Sequence, residues 1–188
     1  MSADRNNRKF EEITIKTEPI FEGKIITLQV DHVRLPNGEV ATREIVKHPG
    51  AVAVLALTDD DRMIVVEQYR KALEKSQVEI PAGKLDPGEE PIRAAIRELK
   101  EETGYSSESV RPVCSFYTSP GFADEILHLF VAENLVRGEA RPDEDEFLEC
   151  EAITLQEAKE LIARGSISDA KTITAVYAWQ AYKLTGSF

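Results

Sequence analysis

The segment from Gly83 to Tyr105, "GKLDPGEEPIRAAIRELKEETGY", constrains the fold more than any other stretch of the chain. Pro91 suits the first turn of a helix, and Gly104 suits its C-terminal end. Apolar residues recur between them at helical spacing and predict a face directed towards a core. These residues are Ile92, Ala95, Ile96 and Leu99. The segment therefore predicts a Pro/Gly loop followed by one amphipathic helix.

Three glutamates of this helix share a face. At 100° per residue, Glu98, Glu101 and Glu102 fall within about 100° of one another, beside the apolar stripe. Like charges at this spacing repel, and the chain already carries a net charge of −11. Mg²⁺ prefers such a group of carboxylate oxygens, and Arg97 is placed to pair with Glu101 four residues on. The alternative is a solvated helix held by surface ion pairs.

The rest of the chain predicts an α/β fold. Residues 12–48 read as strands with a hairpin turn at "PNG", Pro36–Gly38. "AVAVLALT" and "RMIVVEQY" read as a buried β-hairpin joined by "DDD". Two helices at 155–164 and 169–183, with N-caps Thr154 and Asp169, close the chain. We expect an α/β/α sandwich around a mixed sheet in residues 49–188, preceded by an antiparallel β extension in residues 1–48.

Composition narrows the class of protein. The 188 residues include no apolar run of the roughly 20 residues that a membrane-spanning helix needs. The polar start "MSADRNNRKFEE" lacks a signal-peptide core, which predicts a cytoplasmic protein. The charge of −11 argues against nucleic-acid and anionic-membrane partners. Two cysteines, Cys114 and Cys150, do not indicate a disulfide framework.

The helix and its preceding loop follow the pattern G-x5-E-x7-R-E-U-x-E-E-x-G-U, in which U is a bulky apolar residue. It resembles the Nudix box in full, with Tyr105 as a slightly unusual final residue. The resemblance implies a Nudix fold and hydrolysis of a nucleoside diphosphate linked to another moiety, with Mg²⁺ as cofactor and Mn²⁺ as a substitute. It also implies the metal ligands: Glu98 and Glu102, assisted by Glu101, together with the backbone carbonyl of Ala82.

Outside the box the chain resembles the ADP-ribose pyrophosphatase branch. The matching stretches are "REIVKHPGAVAVLAL", "VEQYRKALE", "VEIPAGKLDPGE", "FYTSPGFADE" and "PDEDEF", and Pro120 follows Tyr105 by 15 residues. The resemblance implies ADP-ribose as substrate and assigns residues to it. Arg43 and Arg70 would contact the diphosphate or the terminal ribose, and Lys84 would also bind the substrate. Glu125 would bond the ribose hydroxyls. The loop beneath the substrate would consist of Ser119, Pro120 and Gly121.

The base is expected outside the helix, because metal-bound carboxylates accept protons poorly. By resemblance, Glu144 activates the attacking water and Glu146 binds a further metal, although the reverse assignment stays open. Attack on one phosphorus of ADP-ribose would give AMP and ribose 5-phosphate. The same branch implies a homodimer built through residues 1–48, and the adenine-stacking residue is left unassigned.

Other functions stay open at this point. One is a Nudix hydrolase of another nucleoside diphosphate sugar, a dinucleotide or an oxidised nucleotide. Another is a non-enzymatic ADP-ribose sensor, which the complete set of box glutamates disfavours. A structural Mg²⁺ or Ca²⁺ protein is disfavoured because the chain has no D-x-D-x-D-G loop.

Overall fold

A computed structural model describes residues 7–141 and 147–188, without the side chains of residues 7 and 8. The chain divides into two compact units. The first comprises Met1–Pro49 with Tyr117–Glu125, and the second comprises Gly50–Phe116 with Ile126–Phe188. Each unit is described by itself.

The first unit contains a three-stranded antiparallel sheet in the order β1-β2-β3. Its strands are β1 Ile13–Glu22, β2 Thr27–Arg34 and β3 Val40–Lys47, preceded by a 3₁₀ turn at Asn7–Phe10. The predicted turn between β2 and β3 is confirmed: Gly38 has φ 88° and its N–H donates to the Leu35 carbonyl at 2.9 Å. A positive φ at this place is available to glycine at little conformational cost.

The remaining strands and the three helices follow along the chain. They are β4 Ala51–Ala56, β5 Met63–Arg70, β6 Lys75–Glu79, β7 Ala82–Lys84, α1 Pro91–Thr103, β8 Tyr105–Ser106, β9 Ser109–Tyr117, β10 Ile126–Glu133, β11 Val136–Arg137, β12 Glu149–Ile153, α2 Leu155–Ala163 and α3 Ala170–Thr185. All three predicted helices are confirmed, and the side chains of Thr154 and Asp169 cap α2 and α3 as expected.

Strand β4 lies at the centre of the second unit, in a sheet with the order β7-β4-β10-β9. It runs parallel to β10 and antiparallel to β7, so the sheet is mixed, as predicted. Every residue of β4 is buried. Successive strand residues face opposite sides, so β4 must be covered on both faces.

Helices cover both faces of this sheet. On one face, Ala53 and Leu55 pack in a buried cluster with Ala175 and Trp179 of α3. On the other, Val52 and Val54 pack with helix α1. The α1 residues of that cluster are Ala94, Ala95 and Leu99. This layering confirms the predicted α/β/α sandwich.

The predicted hairpin of β4 and β5 is wrong. A single bridge joins Leu57, just after β4, to Met63, and β5 lies in a separate sheet with the order β12-β5-β6. The turn between them is held by a hydrogen bond within the turn: the Thr58 hydroxyl accepts the Arg62 N–H at 3.1 Å. Asp61 in the same turn adopts φ 61°. Because β7 and β10 occupy both edges of β4, β5 has no edge there to join.

The predicted apolar stripe of α1 is partly wrong. Ile92 and Ile96 are 37% and 39% exposed, whereas the buried residues of the helix are Ala94, Ala95, Leu99, Glu102 and Thr103. Small alanine side chains let the helix backbone approach the sheet closely, so the buried face is rotated away from the isoleucines. This rotation directs Glu102 into the protein.

Two further features concern the cysteines and the lengths of the helices. Cys114 and Cys150 are free thiols on β9 and β12. Within residues 7–141 and 147–188, the helices all fall short of the length and apolarity that crossing a bilayer requires.

Gly104→Ala should destabilise the protein more than Gly186→Ala. Both glycines end a helix at a similar positive φ, 74° and 73°. Alanine in this left-handed backbone conformation costs about 1–2 kcal/mol at either position. Only at Gly104 would an added Cβ meet backbone, 2.6 Å from the Ala140 nitrogen, whereas the space beside Gly186 is open. Urea unfolding gives both free energies, and equal losses would contradict the steric argument.

Candidate active site

Arg97 of α1 lies among three carboxylates. Its guanidinium contacts Glu89 at 2.9 and 3.1 Å, Glu98 at 2.7 Å and Glu101 at 3.1 Å. The predicted pair with Glu101 is confirmed. Hydrogen bonding to Glu89, and then to Glu98, raises the pKa of Arg97 further above its usual range. The same guanidinium lowers the pKa of Glu89, so Glu89 anchors Arg97 from the loop before the helix.

The absence of a side chain at Gly83 allows the Glu98 carboxylate to lie against strand β7. Gly83 pairs with Val52 at the edge of the central sheet. A Cβ built on Gly83 would overlap the carboxylate of Glu98, which is only 14% exposed. Only glycine leaves this space, so the carboxylate lies directly against the backbone at the residue that follows Ala82.

Glu102 approaches the same strand from the buried face of α1. It is 4% exposed, and its Oε2 accepts the Ala82 N–H at 3.0 Å. Glu101, by contrast, has a side chain that is 45% exposed. A carboxylate excluded from water needs hydrogen bonds or nearby positive charge. Two predicted ligands, Glu98 and Glu102, are therefore brought to β7.

These residues fit a divalent cation. Carboxylate and backbone carbonyl oxygens are the hard ligands that Mg²⁺ prefers, and the space above Gly83 admits a carboxylate beside the Ala82 peptide. Among residues 7–141 and 147–188, no three His, Cys, Asp or Glu side chains close on a metal position by themselves. The positive charge among these glutamates is the Arg97 guanidinium. Coordination would thus need the Ala82 carbonyl or substrate oxygens besides the glutamates.

Arg70 belongs to a second ion-pair network in the same unit. It lies at the end of β5, and its Nε and Nη2 donate to the two oxygens of Glu79 at 2.8 and 2.6 Å. Glu79 is 2% exposed and also accepts from Lys171 of α3. Burial would raise the pKa of Glu79, but Arg70 and Lys171 outweigh it and lower that pKa. The pKa of Arg70 is raised, first by Glu79 and also by the charge of Glu102.

Two predicted substrate residues lie on the strands of the first unit or close to them. The Arg43 guanidinium donates to both carboxylate oxygens of Glu12, at 2.8 and 2.5 Å. Glu125 accepts from the Thr118 hydroxyl, and its Oε1 lies 3.7 Å from His48 Nδ1. Both side chains are therefore held in place by neighbours of the same unit.

The predicted substrate loop is a tight turn in the first unit. The Ser119 carbonyl accepts the N–H groups of Phe122 and Ala123 at 3.1 and 2.9 Å, which folds Pro120 and Gly121 into the turn. Ala123 forms an isolated parallel bridge with Val46 of β3. The turn is thereby fixed to the edge of the three-stranded sheet.

The structure thus groups the predicted residues by unit. The second unit brings together Ala82, Glu98 and Glu102, with Glu101 beside Arg97, and the Lys84 carbonyl accepts from Arg97 at 3.3 Å. The predicted residues of the first unit are Arg43, Ser119, Pro120, Gly121 and Glu125. The predicted base and additional metal ligand, Glu144 and Glu146, lie outside the described residues.

Sequence reasoning missed Glu79 and Lys171. Neither belongs to the box, and 92 positions separate them in the chain. A faint signal exists, because β6 carries polar residues at alternate positions, Lys75, Gln77 and Glu79, and two of these are buried. A buried polar row predicts partners, but it does not say which residues supply them.

Similarity to known proteins was found along most of the chain. Residues 47–176 match the NUDIX domain, and residues 12–46 match the nucleoside diphosphate sugar hydrolase N-terminal domain. The chain is 58% identical over 169 residues to a methanol dehydrogenase activator of Bacillus methanolicus, covering 89% of this chain and 91% of that protein. It is 56% identical over 171 residues to an ADP-ribose pyrophosphatase of Bacillus subtilis, covering 90% and 92%.

Solved structures show the same fold. A crystal structure of an ADP compounds hydrolase superposes with a TM-score of 0.82 at 22% sequence identity, covering 94% of this chain and 96% of that one. With the box residues arranged on α1 and β7 and a NUDIX match over residues 47–176, the chain belongs to the Nudix family.

Proposed function

We propose that this chain hydrolyses the diphosphate of ADP-ribose to AMP and ribose 5-phosphate. The observation that carries the proposal is the convergence of Glu98 and Glu102 on the backbone of Ala82 and Gly83. The name of the B. subtilis relative, 56% identical over 90% of this chain, supports ADP-ribose as the substrate. The B. methanolicus relative carries a different name at similar identity. The complete set of box carboxylates favours hydrolysis.

Nudix hydrolases generally use divalent metal ions, and we propose Mg²⁺ for this chain, with Mn²⁺ as a substitute. Glu98, Glu102 and the Ala82 carbonyl would hold the ion, with Glu101 assisting. Bound there, Mg²⁺ would neutralise the diphosphate and stabilise charge that develops on the transferring phosphoryl group. Arg97 orients the carboxylates, since it contacts Glu98 and Glu101 and is itself fixed by Glu89.

Cationic and polar side chains would bind the rest of the substrate. Arg70 is 40% exposed and presents a guanidinium, whose fork matches phosphate oxygens. Arg43 and Lys84 are proposed to contact the diphosphate or the terminal ribose. Glu125 is proposed to accept hydrogen bonds from ribose hydroxyls, above the turn of Ser119, Pro120 and Gly121.

We propose that Glu144 is the base that accepts a proton from the attacking water. Glu146 is proposed to bind an additional metal ion. The support is the sequence resemblance of "PDEDEF" to the ADP-ribose pyrophosphatase branch. Both residues stand apart from the box helix in the chain. A carboxylate that does not already hold a metal ion is the better proton acceptor.

We also propose that the chain forms a homodimer through residues 1–48. Several apolar side chains of the three-stranded sheet and its first turn are at least about one-third exposed. They are Ile13, Ile15, Ile20, Phe21, Ile25, Ile26 and Val40. An exposed apolar surface of this kind on a small sheet favours association, and a two-fold axis closes such a contact most simply.

Glu98→Gln and Glu102→Gln should each lower kcat for ADP-ribose by roughly two to four orders of magnitude, because a metal ligand acts mainly on the transition state. Steady-state assay at saturating Mg²⁺ measures the loss, and circular dichroism confirms the fold. Glu90→Gln is the matched control, since Glu90 is an exposed residue of the same segment whose carboxylate pairs with Arg93. Near wild-type kcat in both variants would refute the metal site.

The same assay on GDP-mannose, NADH, diadenosine polyphosphates and 8-oxo-dGTP tests the identity of the substrate. A higher kcat/KM for one of these compounds would replace ADP-ribose as the proposed substrate.

Gly83→Ala should weaken divalent-cation binding, because the added methyl would overlap the Glu98 carboxylate and displace it from the Ala82 peptide. Titration with Mn²⁺, followed by electron paramagnetic resonance, measures this without turnover. Gly121→Ala is the control, because the space beside Gly121 is open. Unchanged Mn²⁺ affinity in Gly83→Ala would show that Glu98 does not bind the ion from this position.

The double variant Ile13→Lys, Ile15→Lys should be monomeric, since two charges on the exposed face of β1 oppose burial in a second subunit. Sedimentation at micromolar concentration should give about twice 21.0 kDa for the unaltered chain and 21.0 kDa for the variant. Leu184→Lys, at a residue that is 80% exposed on α3, should not change the mass. A monomeric unaltered chain would overturn the dimer.

A further inference from the structure

We propose that Lys171 is a positioning residue for substrate binding, which neutralises Glu79 so that Arg70 is free to leave Glu79 for the substrate diphosphate. The inference rests on the proposed function, in which Arg70 contacts that diphosphate. It concerns a group 92 positions from Glu79 and outside the Nudix box.

The two cations hold Glu79 from different depths. Arg70 binds both oxygens of Glu79 but keeps 40% of its side chain exposed. Lys171 donates to the Oε2 of the same carboxylate, with only 12% of its side chain exposed. A ligand arriving from solvent therefore meets Arg70, whereas Lys171 stays with Glu79 in the interior.

Charge balance shows why both cations are needed. Glu79 and Asp169 carry two negative charges, and Arg70 and Lys171 carry two positive charges. A buried carboxylate that loses its last cationic partner is strongly destabilised. When Arg70 turns to a diphosphate, Lys171 still compensates Glu79. Without Lys171, moving Arg70 would strand the Glu79 charge, so Arg70 would be retained by Glu79.

Helix α3 fixes Lys171 in this position. Asp169 caps the helix by accepting the Thr172 N–H at 3.0 Å, and the same Oδ1 accepts from Lys171 at 3.0 Å. The Thr172 hydroxyl in turn accepts the Ile80 N–H at 3.0 Å. The first turn of α3 thus holds Glu79 through Lys171 and the next residue through Thr172, three positions before Gly83.

Lys171→Met should raise KM for ADP-ribose about tenfold, a change of about 1.4 kcal/mol, while kcat changes by less than about twofold. Arg70 would be held more firmly by Glu79, whereas the carboxylates on α1 are untouched. Calorimetric titration with ADP-ribose in EDTA should show the same loss of affinity without turnover. Lys171→Arg keeps the charge and should stay near the wild-type affinity.

A double variant separates positioning from a general packing defect. In Lys171→Met, Glu79→Gln the Glu79 charge that holds Arg70 is absent, so Arg70 is released and the affinity for ADP-ribose should return to within about threefold of wild type. Lys75→Met is the matched control: it removes a lysine that contacts Gly165 and Ser168 on the same side of β6. Its KM should not change. Thermal unfolding of every variant reports folding.

Three results decide between the proposals. Failure of the unaltered chain to hydrolyse ADP-ribose refutes the proposed function. If Arg70→Ala leaves the affinity unchanged, Arg70 does not bind the diphosphate, and the role of Lys171 falls with it. The role of Lys171 is overturned, while the function stands, if Arg70→Ala weakens ADP-ribose binding but folded Lys171→Met does not. The same conclusion follows if the double variant binds ADP-ribose no more tightly than Lys171→Met.

Discussion

The close packing of α1 on the central sheet is the constraint on which the candidate site depends. Ala94 and Ala95 are fully buried, and their small side chains let the helix approach β4 and β7. At that separation Glu102 reaches the Ala82 N–H, and Glu98 occupies the space that a side chain on Gly83 would fill. The packing of the α1 alanines on the sheet and the lack of a Cβ at Gly83 thus determine where the two carboxylates lie. Their position does not require attraction between the carboxylates, which repel one another.

Three cations of the second unit stand beside particular carboxylates in this acidic chain. Arg97 serves Glu89, Glu98 and Glu101, while Arg70 and Lys171 serve Glu79. These pairs are partly or fully removed from water, where an uncompensated charge is far more unfavourable than at the surface. The net charge of −11 therefore does not prevent a site for an anionic substrate, since local charges decide what the site can bind.

Local signals in the sequence predicted what depends on neighbours along the chain. The bounds of α1, the caps Thr154 and Asp169, and the Arg97–Glu101 pair follow from spacing within one or two helical turns. Strand pairing does not follow, because β4 pairs with β10 and not with β5, the next long strand. The buried face of α1 was also mispredicted, because hydrophobic periodicity favours Ile92 over Ala94, whereas close packing favours the smaller residue.

Residues 79–83 connect two ion-pair networks of the second unit, those centred on Glu79 and on Arg97. Glu79 at one end belongs with Arg70 and Lys171, and Gly83 at the other receives Glu98. Between them, Thr172 of α3 holds Ile80 and Glu102 of α1 holds Ala82, each through a backbone N–H. Helices from opposite faces of the sheet therefore fix one short segment from both sides. A change in either helix that shifts this segment would move the Ala82 peptide relative to Glu98 and the Glu79 carboxylate relative to Arg70. This shared segment connects α3, far from the box in sequence, to the backbone that lies against the box carboxylates.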